Sequence, residues 1–437
     1  MIFMTVGLLS LGCKVNMYET EYVKDELIKR GYEIKDFSDK CDIYIINTCT
    51  VTETADTKSS KMIRRAIKEN PNACIVVMGC FIEANKEGLI DGIDIAVGNR
   101  DKKKIPDLIE EYFKTKKKIV DLYKGAPENF EDMSLNDFPG RTRAFIKIED
   151  GCDNYCTYCI IPYVRGKVVS KPFYSVIREA EELVKHGYKE IVLTGIHTGA
   201  YGRDLGKTES FADLLKALCK IDGLERIRIS SIDPIELNED VLNVLRDEKK
   251  IVNHLHIPLQ AGTDEVLTLM KRKYDLKFYE DKIKEIRKIR ENIAITTDLI
   301  VGFPGETDEL FNKSIEEVKK IGFAKIHVFP YSERHGTKSM ELDGHLPGSI
   351  KKERSRKMLE VSKELEINYA KKFLGKTLSI LVESVDSGVS FGHTENYLHV
   401  KVMKELKHNT FVNVKLESID YPYVIGVTNE WVCKRKI

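Results

Sequence analysis

Cys152-Asp-Asn-Tyr-Cys156-Thr-Tyr-Cys159 is the stretch on which the fold turns. It sets three thiols on one short loop directly after a strand-like run, Ala144-Phe-Ile-Lys-Ile148. Three thiolates at this spacing can wrap an iron–sulfur cluster and leave its fourth iron open to a non-protein ligand. Zinc competes for the same residues. A zinc site, however, asks for a fourth Cys or His, usually in a second paired motif, and none follows Cys159 closely. Cys13, Cys49 and Cys80 form a second set of three, far apart in sequence but each just past an apolar strand-like run. Two incompletely ligated sets predict two reactive clusters rather than passive electron carriers.

Outward from Cys152 the chain alternates strand and helix. Strands are predicted at 144–149, 190–194, 226–231, 254–258, 294–301 and 324–329, with helices at 175–186, 211–221, 239–246, 276–290 and 307–321. Six repeats are too few for a closed eight-fold barrel and predict an open (β/α)6 barrel. A long charged helix, 349–374, follows. Residues 1–120 alternate in the same way, with strands at 5–11, 42–46, 74–78 and 93–97 and helices at 18–30 and 54–70. That pattern predicts a parallel sheet with helices on both faces. Its three cysteines then share the carboxyl edge, where open α/β sheets bind ligands. Residues 121–140 carry no periodicity and are read as a linker. From 375 onward, short alternating strands with Gly and Asn turns predict a small antiparallel β-barrel. The fold class is therefore α/β, divided as 1–120, a linker 121–140, a barrel core 141–370 and a β-rich tail 371–437.

At 437 residues, 42% hydrophobic and 32% charged, the chain suits two or three globular domains. A net charge of +1 excludes a global field for nucleic acid, so any such site must be a local patch. Lys371, Lys372, Lys376, Lys401, Lys404, Lys407 and Lys415 make a basic excess in the tail that suits phosphate contact. The lysine runs 102–104 and 116–118 are read as solvated helix faces, with RNA contact as the alternative. The opening stretch 1–16 lacks a basic leader region and reads as a buried strand; no run is long enough to span a membrane. Ten cysteines without secretory context point to metal or catalysis in a reducing cytoplasm. Cys41, Cys74, Cys219 and Cys433 fit no spacing and are read as small buried apolar residues. Trp431 and Phe391 are read as barrel packing rather than base-stacking platforms.

The CxxxCxxC loop at the start of a partial β/α barrel resembles the radical S-adenosylmethionine enzymes. In that superfamily the open iron is chelated by S-adenosylmethionine, whose cleavage yields a radical able to take hydrogen from an unactivated carbon. The second thiol set narrows the match. Leu11-Gly12-Cys13-Lys14-Val15-Asn16, Asn47-Thr48-Cys49-Thr50-Val51-Thr52 and Gly79-Cys80 resemble the amino-terminal part of the methylthiotransferases. So do His256-Ile-Pro-Leu-Gln260-Ala-Gly262, Met270-x-Arg272-x-Tyr274, the run from Thr297-Asp298 to Gly302-Phe-Pro304-Gly305-Glu306, and Gly392-His-Thr-Glu-Asn396-Tyr397. The tail resembles a TRAM domain, an RNA-binding β-barrel. Thr194-Gly195-Ile-His197, Ser230-Ser231-Ile-Asp233-Pro234 and His327-Val-Phe-Pro330-Tyr331-Ser332 are most similar to the bacterial enzymes acting on threonylcarbamoyladenosine in tRNA.

The resemblance implies methylthiolation of carbon 2 of N6-threonylcarbamoyladenosine at position 37, beside the anticodon. Isopentenyladenosine or a ribosomal-protein aspartate are the alternative substrates, and a non-catalytic iron–sulfur RNA-binding protein is the reading from another class. Implied cofactors are two 4Fe-4S clusters, on Cys13, Cys49 and Cys80 and on Cys152, Cys156 and Cys159, plus S-adenosylmethionine as methyl donor and radical source. Thr194, Gly195, His197, Ser230, Ser231, Gly302 and Gly305 are candidates to hold S-adenosylmethionine, the glycines by close backbone approach. Ser230, Ser231 and Asp233 could contact nucleoside hydroxyls or simply cap a turn. Arg165, Lys376, Lys401 and Lys404 are candidates for RNA. His254 and His256 are placed on a strand with at most one facing the barrel interior. Expected partners are the tRNA anticodon loop, an electron donor such as flavodoxin or ferredoxin, and a sulfur source, around a cytoplasmic monomer. Two departures from the family pattern, Phe81-Ile-Glu-Ala84 after the third amino-terminal cysteine and Val169 and Lys171 where arginines are common, fall near expected substrate surfaces.

Overall fold

The computed structural model describes residues 4–122, 129–206 and 209–428. Its first unit is a six-stranded, wholly parallel sheet of β1 (Thr5–Ser10), β2 (Glu33–Lys35), β3 (Ile43–Thr48), β4 (Cys74–Gly79), β5 (Ile95–Val97) and β6 (Ile119–Asp121), ordered β2-β1-β3-β4-β5-β6. The short edge strands β2 and β6 were not foreseen. They are three residues each and largely exposed or half-buried, so they carry no apolar run. The central strands read as unbroken apolar runs because both faces are covered. Tyr44, Ile46, Ile75 and Val77 pack on one side, and Ile43, Ile45, Val76 and Met78 on the other. Helices α1 (Lys14–Lys29), α2 (Glu53–Glu69), α3 (Cys80–Ala84) and α4 (Ile105–Thr115) connect them.

The second unit is the open barrel. Strand β7 (Arg143–Lys147) leads into a short hairpin, β8 (Glu149–Asp150) with β9 (Val169–Ser170), that brackets the Cys152 loop and α5 (Ile161–Arg165). The series continues through α6 (Phe173–Lys185), β10 (Glu190–Thr194), α7 (Phe211–Cys219), β11 (Arg226–Ile229), α8 (Glu239–Asp247), β12 (His254–His256), α9 (Asp264–Leu269), α10 (Leu276–Ile289), β13 (Ala294–Val301), α11 (Asp308–Ile321), β14 (Lys325–Pro330) and α12 (Gly348–Lys371). All six predicted barrel strands are present and parallel. Isolated bridges Ile227 to Ile251 and Ser231 to His256 join the two halves. Alternation along β11 decides what each face sees: Ile227 and Ile229 pack in the helix-covered core, while Arg226, Arg228 and Ser230 line the open interior. Of the stretch read as a linker, residues 129–140 bury Met133, Leu135 and Phe138 in this core.

The tail is a closed five-stranded barrel of β15 (Thr377–Asp386), β16 (Val389–Thr394), β17 (His399–Val402), β18 (Phe411–Asp420) and β19 (Tyr423–Val427). It is antiparallel except for β17 with β19, which run parallel. The tail docks on the amino ends of the barrel strands. Arg226 donates to Ser379 O at 2.9 Å, Arg143 pairs with Glu383 at 3.0 Å, and Tyr397 stacks on His254 with centroids 4.7 Å apart. Trp431 and Cys433 lie outside the described residues. Among the described residues no helix is long and apolar enough to cross a membrane.

Candidate cluster and cofactor site

Adjacent strands β1, β3 and β4 end in register, Ser10 opposite Asn47 and Thr48 opposite Gly79, so the residues just beyond them gather at one edge. Cys13 occupies the N-cap of α1 and Cys80 opens α3, which turns helix N-termini toward the thiols and favours negative charge there. Gly12 makes the approach possible. Its φ is +95°, and a Cβ there would stand 2.8 Å from Cys49 Sγ. Asn16 ties the loops together: its amide donates to Leu11 O and Thr48 O at 2.9 Å, and Cys13 Sγ lies 3.5 Å from its Oδ1. Cys80 Sγ receives Asn99 Nδ2 at 3.5 Å. Burial, with the neighbouring Cys80 and Cys13 adding to it, pushes the Cys49 thiol up to about 11.

The barrel triad lies across from this edge. Cys152 Sγ is 3.9 Å from His197 Nδ1, and Cys156 Sγ accepts from Arg272 Nη1 at 3.2 Å. Arg272 is itself held by Tyr274 OH at 3.1 Å and by Asp233 at 2.5 Å, which gives the Met270-x-Arg272-x-Tyr274 motif a role the sequence did not disclose. Burial, then the Cys156 charge, lifts the Cys159 thiol to about 12. Cys80 packs in one apolar cluster with Ile160 and Val164, the residues that follow Cys159, and Asn99 donates to Val164 O at 2.8 Å. Lys14 Nζ reaches Ser230 Oγ at 3.4 Å from the residue after Cys13. Both triads therefore look onto the same end of the barrel.

A buried charge network welds this junction. Glu19 of α1, Lys102, Lys147 of β7, Asp150 of β8 and Arg165 of α5 are all shielded from solvent. Lys102 pairs with Glu19; Lys147 meets Glu19 at 2.9 Å and Asp150 at 2.7 Å; Arg165 meets Asp150 at 2.9 Å and Asn16 Oδ1 at 2.7 Å. Against the cost of burial, Lys102, Lys147 and Arg165 hold the Glu19 carboxyl well below its usual range. Two sequence expectations fail here. Arg165 is not an RNA contact, because its guanidinium is enclosed by these carboxylates. Lys102 is not a solvated face, unlike Lys103 and Lys104. The signal for Glu19 was present: it falls within the buried stripe Val15, Glu19, Val23, Leu27, spaced four apart.

His197 is buried, its Nε2 is 3.2 Å from Glu236, and its backbone N–H donates to Glu149 Oε2 at 2.7 Å. Despite burial, Cys152 and Glu236 raise the imidazole to about 10. Burial also lifts the Glu149 carboxyl to about 8, and its Oε1 has no hydrogen-bond partner. Asn154 Oδ1, inside the cysteine loop, and Thr198 Oγ1 are likewise buried and unbonded. These orphaned groups beside Thr194, Gly195 and His197 fit a polar ligand at the cluster mouth. Gly302 and Gly305 are different. Their φ angles are +73° and +83°, and the chain's own Lys351 and Leu269 crowd their Cβ positions, so packing explains them without a cofactor. Asp233 accepts from Ile235 N at 3.3 Å and pairs with Arg272, which places it in turn-capping and support. His254 and His256 both lie 3.0 Å from Thr296 Oγ1; residues two apart on a strand share a face, so both face inward, contrary to expectation. Lys171 is buried against Glu179 at 2.6 Å and Val169 is buried too, so that departure lies away from any substrate surface. Lys376 is exposed, Lys401 pairs with Asp420 at 3.7 Å, and Lys404 is half-buried. Cys41, Cys74 and Cys219 are buried, as expected.

Among the described residues no three His, Cys, Asp or Glu side chains gather closely enough to hold a single metal ion. A cavity of about 280 Å³ between the tail and β13–β14 is lined by none of the six thiols. A larger one, about 610 Å³, opens beside α3 and α5, lined by Glu83, Ile160, Tyr163, Val164 and Arg334 among others.

Two family models match: the radical SAM superfamily over residues 146–318, and an uncharacterized protein family, UPF0004, over residues 5–98. The chain is 41% identical to the threonylcarbamoyladenosine tRNA methylthiotransferase MtaB of Bacillus subtilis, over 97% of this chain and 96% of that one. The chain belongs to the radical SAM tRNA methylthiotransferase family. A tRNA-2-methylthio-N(6)-dimethylallyladenosine synthase of Clostridium tetani is 36% identical over 85% of this chain and 84% of its own. Among solved structures, the radical S-adenosylmethionine methyltransferase TsrM of Kitasatospora setae superposes with a TM-score of 0.59, covering 89% of this chain and 81% of that one at 13% identity, a likeness of fold alone.

Proposed function

We propose that this methylthiotransferase modifies carbon 2 of N6-threonylcarbamoyladenosine at position 37 of tRNA. The observation that carries the reading is that both thiol triads open onto one end of the barrel, joined through Asn99, Arg165 and Lys14. Cys13, Cys49 and Cys80 would hold one 4Fe-4S cluster, and Cys152, Cys156 and Cys159 the other. When bound, the barrel cluster supplies the electron that cleaves S-adenosylmethionine, and the second cluster holds the sulfur to be methylated and transferred. The chain's residues do the positioning. Arg272 donates to Cys156 Sγ and Asn99 to Cys80 Sγ, adjusting the charge each sulfur carries. Thr194, Gly195, His197, Asn154 and Thr198 frame the cofactor's polar end, and Glu149 holds the backbone of His197 in place. Cysteines that take up iron would bind it as thiolates, so loading would release their protons. The target base must leave its stack to reach this enclosed edge, which an anticodon-loop base does at low cost.

Lys376, with Lys404 and Lys401, contributes to an RNA-facing surface on the tail, and the segments 1–120, 121–140, 141–370 and 371–437 act as cluster module, connector, catalytic barrel and RNA module. The expected setting is the cytoplasm, with the protein working as a monomer supplied by a flavodoxin- or ferredoxin-like donor and a separate sulfur source. One variant tests the assignment. Cys13→Ala should lower iron from about eight to about four per chain, keep formation of 5′-deoxyadenosine, and abolish methylthiolated product. Product formed by Cys13→Ala would remove the second cluster from the reaction.

A further inference from the structure

Two cations of the barrel interior, Arg228 and Lys14, are short of carboxylate partners. Arg228 is 3% exposed; its Nε meets Glu190 at 2.9 Å and its Nη1 reaches Glu395 O at 3.4 Å, but its Nη2 has no hydrogen-bond partner. Arg143 is engaged by Glu383 at 3.0 Å and, more distantly, by the same Glu190 at 3.9 Å. Lys14 extends from the amino-terminal unit, open to solvent, toward Ser230, which lies two residues beyond Arg228 on the same face. Among the described residues no carboxylate pairs with Lys14; its nearest partner is the Ser230 hydroxyl at 3.4 Å. His254 and Arg228 both lie against the Tyr397 ring, and His254 keeps its Nδ1 unbonded. Asp298, the next carboxylate along the interior, is taken up by His256 at 3.3 Å. A buried donor left unpaired is costly, and more so when it is charged. The arrangement is therefore built for an anion that arrives from outside.

We infer that Lys14 and Arg228 form a carboxylate subsite that receives the acidic substituent on N6 of the target adenosine. The inference rests on the proposed function and deepens it. Lys14 directly follows Cys13, so a substituent held there lies beside the amino-terminal triad. Carbons 2 and 6 of adenine both flank N1, so anchoring the N6 group aims the C2 edge at the junction of the two triads. An apolar N6 substituent would leave Lys14 and the Nη2 of Arg228 without an anionic partner, and a site built to bond a polar group rejects its apolar analogue strongly. The subsite thus selects the acid over the isopentenyl group.

The test titrates the holoenzyme, with both clusters, against anticodon stem-loops bearing at the target adenosine the threonylcarbamoyl acid, its neutral methyl ester, or no substituent. The ester should bind at least about 10-fold more weakly than the acid, the ratio expected when a charged hydrogen bond is lost. Lys14→Met and Arg228→Met should erase the difference between acid and ester, bringing the two to within about twofold of each other. Equal binding of acid and ester by the unmutated protein overturns the subsite and needs no variant to fold. Variants that weaken S-adenosylmethionine binding, or all three loops equally, also overturn it, by assigning the cations to the cofactor or the phosphate backbone. Methylthiolation of an isopentenyl loop in place of the acid would overturn the parent reading along with it.

Discussion

Arg272 shows how much one side chain settles. Its guanidinium bridges Cys156 Sγ, Asp233 and Tyr274, so it both neutralises a sulfur and is prevented from moving. Hydrogen bonds to cluster sulfurs raise the reduction potential. Arg272→Gln should therefore lower the potential of the barrel cluster and slow 5′-deoxyadenosine formation by about 10- to 100-fold, the range for loss of a supporting partner. Protein-film voltammetry and single-turnover assays read the two effects. Glu149 gives a pH prediction of definite sign. Burial raises its folded carboxyl to about 8, far above the value of about 4 in an unfolded chain. The folded state thus binds the extra proton between those values, and stability falls as pH rises from about 4 toward 8. Glu149→Gln keeps the acceptor for His197 N–H and removes the titration, so its thermal midpoint should flatten across that range and exceed that of the unmutated apoprotein near pH 8. A parallel pair of curves would mean the carboxyl is not protonated in place.

At the scale of elements, the junction of α1, β7, β8 and α5 carries the most consequence. Tyr18 OH lies 2.6 Å from both Met133 O and Glu179 Oε1, so the first helix is anchored in the barrel as well as in its own sheet. Lys102 links Glu19 to Asn99, the residue that donates to Cys80. Lys102→Met should cost about 3–5 kcal/mol, since removing one partner strands a buried charge. Lys147 and Arg165 still face Glu19, which favours the lower end of that range. The effect should be local: a chelator should strip iron from the amino-terminal triad faster while the barrel triad keeps its own. Equal loss from both would point to global unfolding instead. None of this network could be paired from sequence, because its members come from five separate segments, although α1 and β7, which carry Glu19 and Lys147, were legible in their periods.

For the molecule as a whole, the tail barrel has two regions with different work. One face is committed to the catalytic barrel, with Tyr397 on His254 and Asn396 Nδ2 on Tyr369 OH at 3.2 Å, so the Gly392–Tyr397 motif serves docking. Elsewhere the tail carries exposed Lys376 and Lys415, Lys376 standing one residue before the Thr377 that pairs with Lys415. If phosphate binds there, tRNA affinity should fall with added salt at a log–log slope of about −0.7 to −0.9 per contact, and the Lys376→Ala/Lys415→Ala pair should make that slope shallower by about 1 to 2. Filter binding across a salt series measures it, and an unchanged slope would move the RNA path elsewhere.

Thiol spacing, six strand periods and the apolar runs before Cys13, Cys49 and Cys80 were enough to read the fold class, both cysteine sets and the family, because each is a local property of the chain. Which side chains became partners was decided only in three dimensions. Arg165, Lys102 and Lys171 look like surface cations in sequence and are buried, while Lys14 remains open to solvent and meets the Ser230 hydroxyl of the barrel. A charge's environment is set by whatever the fold brings against it from distant segments, and no local pattern encodes that encounter.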